Sequence, residues 1–340
     1  MDLKTDYLGL ELEHPLVVSA CQPLSKDIDS LKELEEGGAA AVVLYSLFEE
    51  QVIHESVELD HYLSYEEESF AEAQTFFPEM EDYQLGPDEY LSLIQKGKAE
   101  LDIPVIGSLN GVSSGGWVDF SRKIEEAGAD ALELNIFYIP IEPEMSGAAM
   151  EQRYIKIVNK VREQVDIPLS VKVGPYFSSI AAMVENIARA GADGVTLFNR
   201  FYQPDFDIEN LEVKHDLKLS RSYDMRLPLR WTALLYDRVD IDLAITSGVH
   251  TYRDVIKGIM AGAKVTTMAS ELLENGSGRM KEITKKMSSW MEDKGYKSLK
   301  QMQGSMSQKS LGTPTAIERA NYTKTLHSWK SDPMGQDRGK

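Results

Sequence analysis

The sequence is poor in cysteine, in basic residues and in long apolar runs. Its 340 residues include one cysteine, Cys21. A single thiol closes no intramolecular disulfide, which suits a reducing compartment. Acidic residues outnumber basic ones 55 to 36, for a formal charge of −19. A surface of that sign repels phosphate backbones and anionic bilayers, so neither nucleic acid nor a membrane is expected as a partner. No run approaches the roughly 20 apolar residues that a spanning helix needs. The opening "MDLKTDYLGLELEHP" is too polar for a signal peptide. A soluble, cytoplasmic protein is expected. A Gly-x-Gly-x-x-Gly fingerprint is also missing, which weakens the case for an open dinucleotide-binding sheet.

What is present has a rhythm. Four segments join a helix end to an apolar strand: "EEGGAAAVVLY" (35–45), "EEAGADALELN" (125–135), "ARAGADGVTLFN" (188–199) and "IMAGAKVTTMAS" (259–270). Each has a glycine suited to a helix C-terminus. Four further strands interleave with them: "HPLVVSA" (14–20), "IPVIGSL" (103–109), "IPLSVKV" (167–173) and "DLAITSG" (242–248). Amphipathic helical stretches fill the gaps. Eight β/α units of about 250 residues in all predict a single (β/α)8 TIM barrel. The barrel is expected over residues 1–303, with a polar tail at 304–340. An acidic, aromatic-rich insertion at 49–87, after the second strand, is long enough for a lid. "GRMKEITKKMSSWMEDKGY" predicts a C-terminal helical extension.

Chemistry in such a barrel lies at the carboxyl ends of the strands. Lys172 stands out there, inside the apolar run "PLSVKVGPYF". A buried ammonium needs an anionic neighbour. Glu133 on the adjacent strand is one; an electron-rich ligand is another. The turns after strands seven and eight are the usual phosphate site of the fold, and they offer Ser247, Gly248, Ala269 and Ser270. Ser19, Ala20, Tyr45, Asn110, Asn135, Tyr138, Asn199 and Arg200 complete the strand ends. His54 and His61 read as solvated, with no metal expected. His250 reads as exposed, and Cys21 as a small filler.

With these residues placed, the chain resembles the dihydroorotate dehydrogenase family, nearest its soluble class 1. "HPLVVSA", "ELN" at 133–135, "VKVGPYF" at 171–177 and "SGVHTYRDVIKGIMAGA" at 247–263 carry the resemblance. It implies an FMN-dependent oxidoreductase, with dihydroorotate as the family's substrate and hydride transfer to flavin N5. It implies FMN against Ser19, Ala20, Asn110, Asn135 and Lys172, with the phosphate at Ser247, Gly248, Ala269 and Ser270. Tyr45, Asn135, Asn199 and Arg200 would meet a small-molecule substrate. A homodimer is implied, while the electron acceptor stays unknown. Where class 1 members read Asn-Leu-Ser-Cys-Pro-Asn, this chain reads "NIFYIP", which puts Tyr138 in the place of the catalytic cysteine. Tyr138 and Lys172 are therefore the expected catalytic pair, with Arg200 as a cation beside Tyr138. Three alternatives stay open: another dihydropyrimidine or unsaturated acid as substrate, a flavoprotein without turnover of its own, and an aldolase-like barrel using Lys172 as a Schiff base.

Overall fold

The computed structural model describes residues 1–52, 86–111, 115, 117–200, 203–214, 216–312, 317 and 322–329. Most of the expected 49–87 insertion, with His54 and His61, lies outside the described residues, as does most of the tail beyond 312. Two short hairpins flank the main sheet: β1 (Thr5–Tyr7) with β2 (Leu10–Leu12), and β10 (Asp205–Asp207) with β11 (Glu212–Lys214). The sheet itself holds β3 (Leu16–Val18), β4 (Ala41–Val43), β5 (Leu47–Phe48), β6 (Val105–Asn110) and β7 (Ala131–Asn135). It continues with β8 (Leu169–Val173), β9 (Gly194–Leu197), β12 (Asp242–Ile245) and β13 (Val265–Met268).

All pairings in that sheet are parallel, and they close on themselves. β13 returns to β3 with Thr267 opposite Val17, and β4 reaches β6 with Val42 opposite Val105. The two-residue β5 continues the lane of β4 along β6. The result is the expected eight-stranded (β/α)8 barrel. Helices follow the strands, as Ile180–Arg189 does after β8. Its Ile180, Met183, Val184 and Ile187 are buried, the spacing of one helical face. Two helices close the carboxyl-terminal side, Arg279–Asp293 and Leu299–Met302. Backbone bonds continue from there, with Gly304 N donating to Ile259 O and Gln308 N to Ala233 O.

The repeat in the sequence has a structural cause. Gly38, Gly128, Gly191 and Gly262 all have positive φ, the left-handed turn that ends a helix before its strand. The next carboxylates then clasp the amino end of the barrel. Asp130 Oδ2 accepts from Val105 N at 2.7 Å, and Asp193 Oδ2 from Leu169 N at 2.8 Å. Glu35 and Glu125 do the same for the turns before β6 and β8.

Alternate strand residues face the barrel interior. At the amino end these are hydrocarbon: Val17, Ala41, Val43, Ile106, Ala131 and Val265 form one buried cluster. The β1–β2 hairpin plugs it with Tyr7, Leu8 and Leu12. Two residues further along the same faces the interior turns polar. Ser19, Ser108, Glu133, Lys172, Thr196 and Thr267 are all buried there.

Candidate active site

The polar half begins at the plug. Tyr7 OH lies 3.1 Å from Ser170 Oγ, which lies 3.2 Å from Thr196 Oγ1. Thr196 Oγ1 donates to Glu133 Oε2 at 3.3 Å, and Lys172 Nζ donates to Glu133 Oε1 at 3.4 Å. Burial pushes the Tyr7 hydroxyl well above the usual phenol range, and the charge of Glu133 adds to the shift. It therefore stays a neutral donor and acceptor. Glu133 is the expected partner of Lys172, and two side chains hold it from two neighbouring strands.

Above Lys172 a cavity of about 230 Å³ opens at the carboxyl ends of the strands. Ser19, Ala20 and Cys21 wall one side, following β3. Ser247 and Gly248 after β12, with Ala269 and Ser270 after β13, wall the next. Asn199 and Arg200 after β9 complete the rim. The nine sequence-derived candidates Ser19, Ala20, Lys172, Asn199, Arg200, Ser247, Gly248, Ala269 and Ser270 thus meet in one place. A larger concavity of about 790 Å³ lies at the opposite end, around Asp193, Asp237 and Asp242. Loops that precede the strands shape it, so it holds none of the strand-end groups that serve chemistry in this fold.

The remaining candidates stand apart from the lining. Asn135 is one bond away: its Oδ1 accepts from Asn199 Nδ2 at 2.8 Å, and its Nδ2 donates to Ser46 Oγ at 3.4 Å. Asn110 is buried beside Asn135 in the β6–β7 register. Tyr45 packs between barrel and helix, edge-on to Tyr90 with ring centres 5.1 Å apart. Ser25 Oγ accepts its backbone N–H, which fixes that orientation. Tyr138 lies on the loop after β7. Its hydroxyl donates to Glu142 Oε2 at 3.2 Å, and Arg153 sits 5.0 Å over its ring. The cation near Tyr138 is therefore Arg153. Arg200 instead donates to the Lys218 carbonyl across the cavity rim.

Cys21 faces the cavity, but burial pushes its thiol up, so it is no thiolate nucleophile. His250 is buried rather than exposed. Its Nδ1 lies 2.9 Å from Glu271 Oε2 and its Nε2 3.2 Å from Ser220 Oγ. Sequence reading missed Ser220, and no local motif marks it. Among the described residues, His250, Glu271 and Glu274 come close enough to share a cation. Arg279 and Arg221 already pair with those two carboxylates.

Two buried polar groups of the cavity have hydrogen-bonding capacity to spare. Thr267 Oγ1 has no partner among the described residues. Among the described residues Lys172 spends one of its three donors. An orphaned buried hydroxyl costs about 1–3 kcal/mol, which a ligand with acceptors at the floor would recover.

Comparison with known proteins bears on this geometry. The family model described as "Dihydroorotate dehydrogenase" matches residues 82–291, a stretch that takes in the helix Pro87–Glu100 and ends within the helix Arg279–Asp293. The chain belongs to the dihydroorotate dehydrogenase family. Its similarity to named members is low but long. It is 26% identical to a "Dihydroorotate dehydrogenase B (NAD(+)), catalytic subunit" of Thermoplasma acidophilum over 311 residues, 89% of this chain and 98% of that one. The namesake of Methanothermobacter thermautotrophicus is 24% identical over 318 residues, 89% and 97% of the two chains. A "Putative dihydroorotate dehydrogenase A (fumarate)" of Aeropyrum pernix is 25% identical over 213 residues, 60% of this chain and 68% of the relative. The matched family segment spans β6 to β13, so it includes Lys172, Glu133 and the turns after β12 and β13. No helix among the described residues is long and apolar enough to cross a membrane.

Proposed function

We propose that the protein is an FMN-dependent oxidoreductase that removes two hydrogens from a CH–CH bond of a small cyclic substrate related to dihydroorotate. One observation carries this reading: a buried ammonium, Lys172, opens onto a cavity at the carboxyl ends of the strands with two donors unspent among the described residues. FMN would supply the two-electron chemistry at its N5. Lys172 would hold the N1–C2 edge, where negative charge gathers on reduction, and Glu133 would keep that ammonium in place. Thr267 and Ser19 would line the ring beside it. Ser247, Gly248, Ala269 and Ser270 would take the phosphate, with backbone donors at the start of the helix Tyr252–Ala261 close by.

Asn135 and Asn199 would face the substrate as one unit, because each fixes the other's amide. Arg200 would add a positive charge at the rim; among the described residues it pairs with no carboxylate. The proton leaving the substrate needs an acceptor. Tyr138 would take it while its own proton passes to Glu142, so a carboxylate is the final base and no tyrosinate has to form. On this reading Tyr45 and Asn110 support the site from behind.

The relatives' names contain NAD(+), fumarate and "catalytic subunit". A second subunit that carries electrons away is therefore part of the proposal, as is a homodimer of this chain.

The test is anaerobic stopped-flow spectroscopy of the FMN-loaded protein against dihydroorotate and a panel of dihydropyrimidines. Bleaching of the flavin band by one of them is expected, with NAD(+) or fumarate restoring it. A chain that takes up no flavin, or a flavin that no substrate bleaches, overturns the reading. In the same assay Tyr138→Phe should slow bleaching by about 10²-fold or more, the scale of general-base catalysis. An unchanged rate removes Tyr138 from the mechanism.

A further inference from the structure

We propose that His250 is held as an imidazolium and acts as a positioning residue: through Ser220 it turns the Ser270 hydroxyl into a donor aimed into the cavity, which makes that end selective for a phosphate ester. The inference rests on the FMN reading above and adds a residue and a protonation state to it.

The hydrogens around the ring determine its state. Glu271 Oε2, 2.9 Å from His250 Nδ1, only accepts, so Nδ1 carries a proton. The single hydroxyl proton of Ser220 points at Ser270 Oγ, 3.0 Å away. His250 Nε2, 3.2 Å from Ser220 Oγ, must then donate as well. Both ring nitrogens are protonated, and the ring is a cation. Ser220 Oγ also accepts from Gly248 N at 3.3 Å. Ser270 Oγ accepts a second time, from Ser220 N at 3.1 Å. Both its lone pairs are used, so its own proton can only be given away, and Ser270 lines the cavity. A phosphate ester offers acceptors alone and fits such a donor.

Charge around the ring is consistent with this state. Helix Ser270–Asn275 presents Glu271 and Glu274. Helix Tyr252–Ala261 presents Asp254, whose Oδ2 accepts from His250 N at 3.3 Å and whose Oδ1 lies 3.4 Å from Lys257 Nζ. Helix Arg279–Asp293 brings Arg279 to Glu271 at 2.5 Å, and Arg221 pairs with Glu274 at 2.9 Å. Three carboxylates and three basic side chains surround the imidazolium. Loss of the Nε2 proton would reverse the chain. The Ser220 hydroxyl would turn to His250, Ser270 would donate to Ser220, and the cavity would lose its donor.

Two measurements decide it. Long-range ¹H–¹⁵N spectra of histidine-labelled protein read the state of each ring, and His250→Gln assigns the His250 signal. Titration of FMN and of riboflavin into the wild type, His250→Gln and Ser220→Ala reads the phosphate preference. A doubly protonated ring at pH 7 is expected. The preference for FMN over riboflavin should fall about tenfold in both variants, the scale of one charge-assisted hydrogen bond, with riboflavin affinity unmoved. A singly protonated ring at pH 7 overturns the proposal on unaltered protein. FMN binding with its preference unchanged in His250→Gln overturns this inference and leaves the cofactor reading standing. Binding of neither flavin by the wild type overturns both.

Discussion

The two halves of the barrel interior share the same eight strands and differ in what those strands point inward. At the amino end, one cluster of valine, alanine and isoleucine is plugged by Tyr7, Leu8 and Leu12. At the carboxyl end, the next inward positions are Ser19, Ser108, Glu133, Lys172, Thr196 and Thr267. The shift of two residues per strand is enough, since it preserves the face while changing the layer. The hydrocarbon layer contributes stability in proportion to the area it removes from water. The polar layer gains little from burial, because each group must replace the hydrogen bonds it had in water. Most do, but among the described residues Thr267 Oγ1 and two of the Lys172 donors do not. The lower half holds the barrel closed; the upper half keeps unspent polarity for a ligand.

The contrast breaks most sharply at Lys172. Lys172→Met should cut the rate of flavin reduction by about 10²-fold or more, the scale of a lost electrostatic stabiliser. It also strands Glu133, so stability should fall by about 3 kcal/mol. The double variant Lys172→Met with Glu133→Gln separates the two effects. Urea unfolding should recover most of the stability, while flavin reduction stays slow. Recovery of both would reduce the pair to structure alone. The opposite pattern is expected below. Ile106→Ala removes three carbons from the plugged layer and should cost about 3 kcal/mol. Flavin affinity and reduction rate should not change, and a kinetic effect would show that the two halves are coupled.

Tyr7 sits on the boundary, and its variant sharpens the contrast. Tyr7→Phe keeps the plug and deletes the hydroxyl that meets Ser170 at 3.1 Å. A loss of about 1 kcal/mol is expected in urea unfolding. Because Ser170 leads through Thr196 to Glu133, any shift in flavin reduction would mark the chain of hydroxyls as a route to Lys172. An unchanged rate would confine it to support.

The parts legible in sequence follow from the same contrast. A charged residue within an apolar strand, as at Glu133 and Lys172, is visible because burial makes it costly. The four helix-end glycines are visible because only one backbone turn fits there. The β1–β2 plug was hidden. Its turn places Leu8 and Gly9 at φ of 56° and 73°, and leucine at the first position masks the Asn-Gly signal of such hairpins. The Ser220 junction was hidden for another reason. Residues 220 and 250 belong to two separate loops and residue 271 to the helix Ser270–Asn275, and only barrel closure brings them together. Arg153 of the helix Gly147–Arg162 stands where Arg200 was expected, because the loop that carries Tyr138 turns its ring toward that helix, along a path no periodicity encodes.

The smallest expected effect tests the amino end by pH. His14 precedes β3, and its Nδ1 accepts from Leu16 N at 3.3 Å. Burial lowers its pKa from the ordinary 6.5. The unfolded chain therefore binds a proton more readily than the folded one between those two values, and stability rises with pH across that window. The contribution is complete above about 6.5 and is lost as pH falls through the folded value. Asp242, at the same end, behaves in the opposite sense: burial raises its pKa, so stability falls as pH rises through its own window. Comparing the wild type with His14→Gln at each pH removes the Asp242 contribution, because it is common to both. The difference in urea midpoint should favour the wild type more at pH 7.5 than at pH 5.5. Since His14 lies at the far end of the barrel from Lys172, flavin reduction should show no matching change; if it does, the halves are not independent.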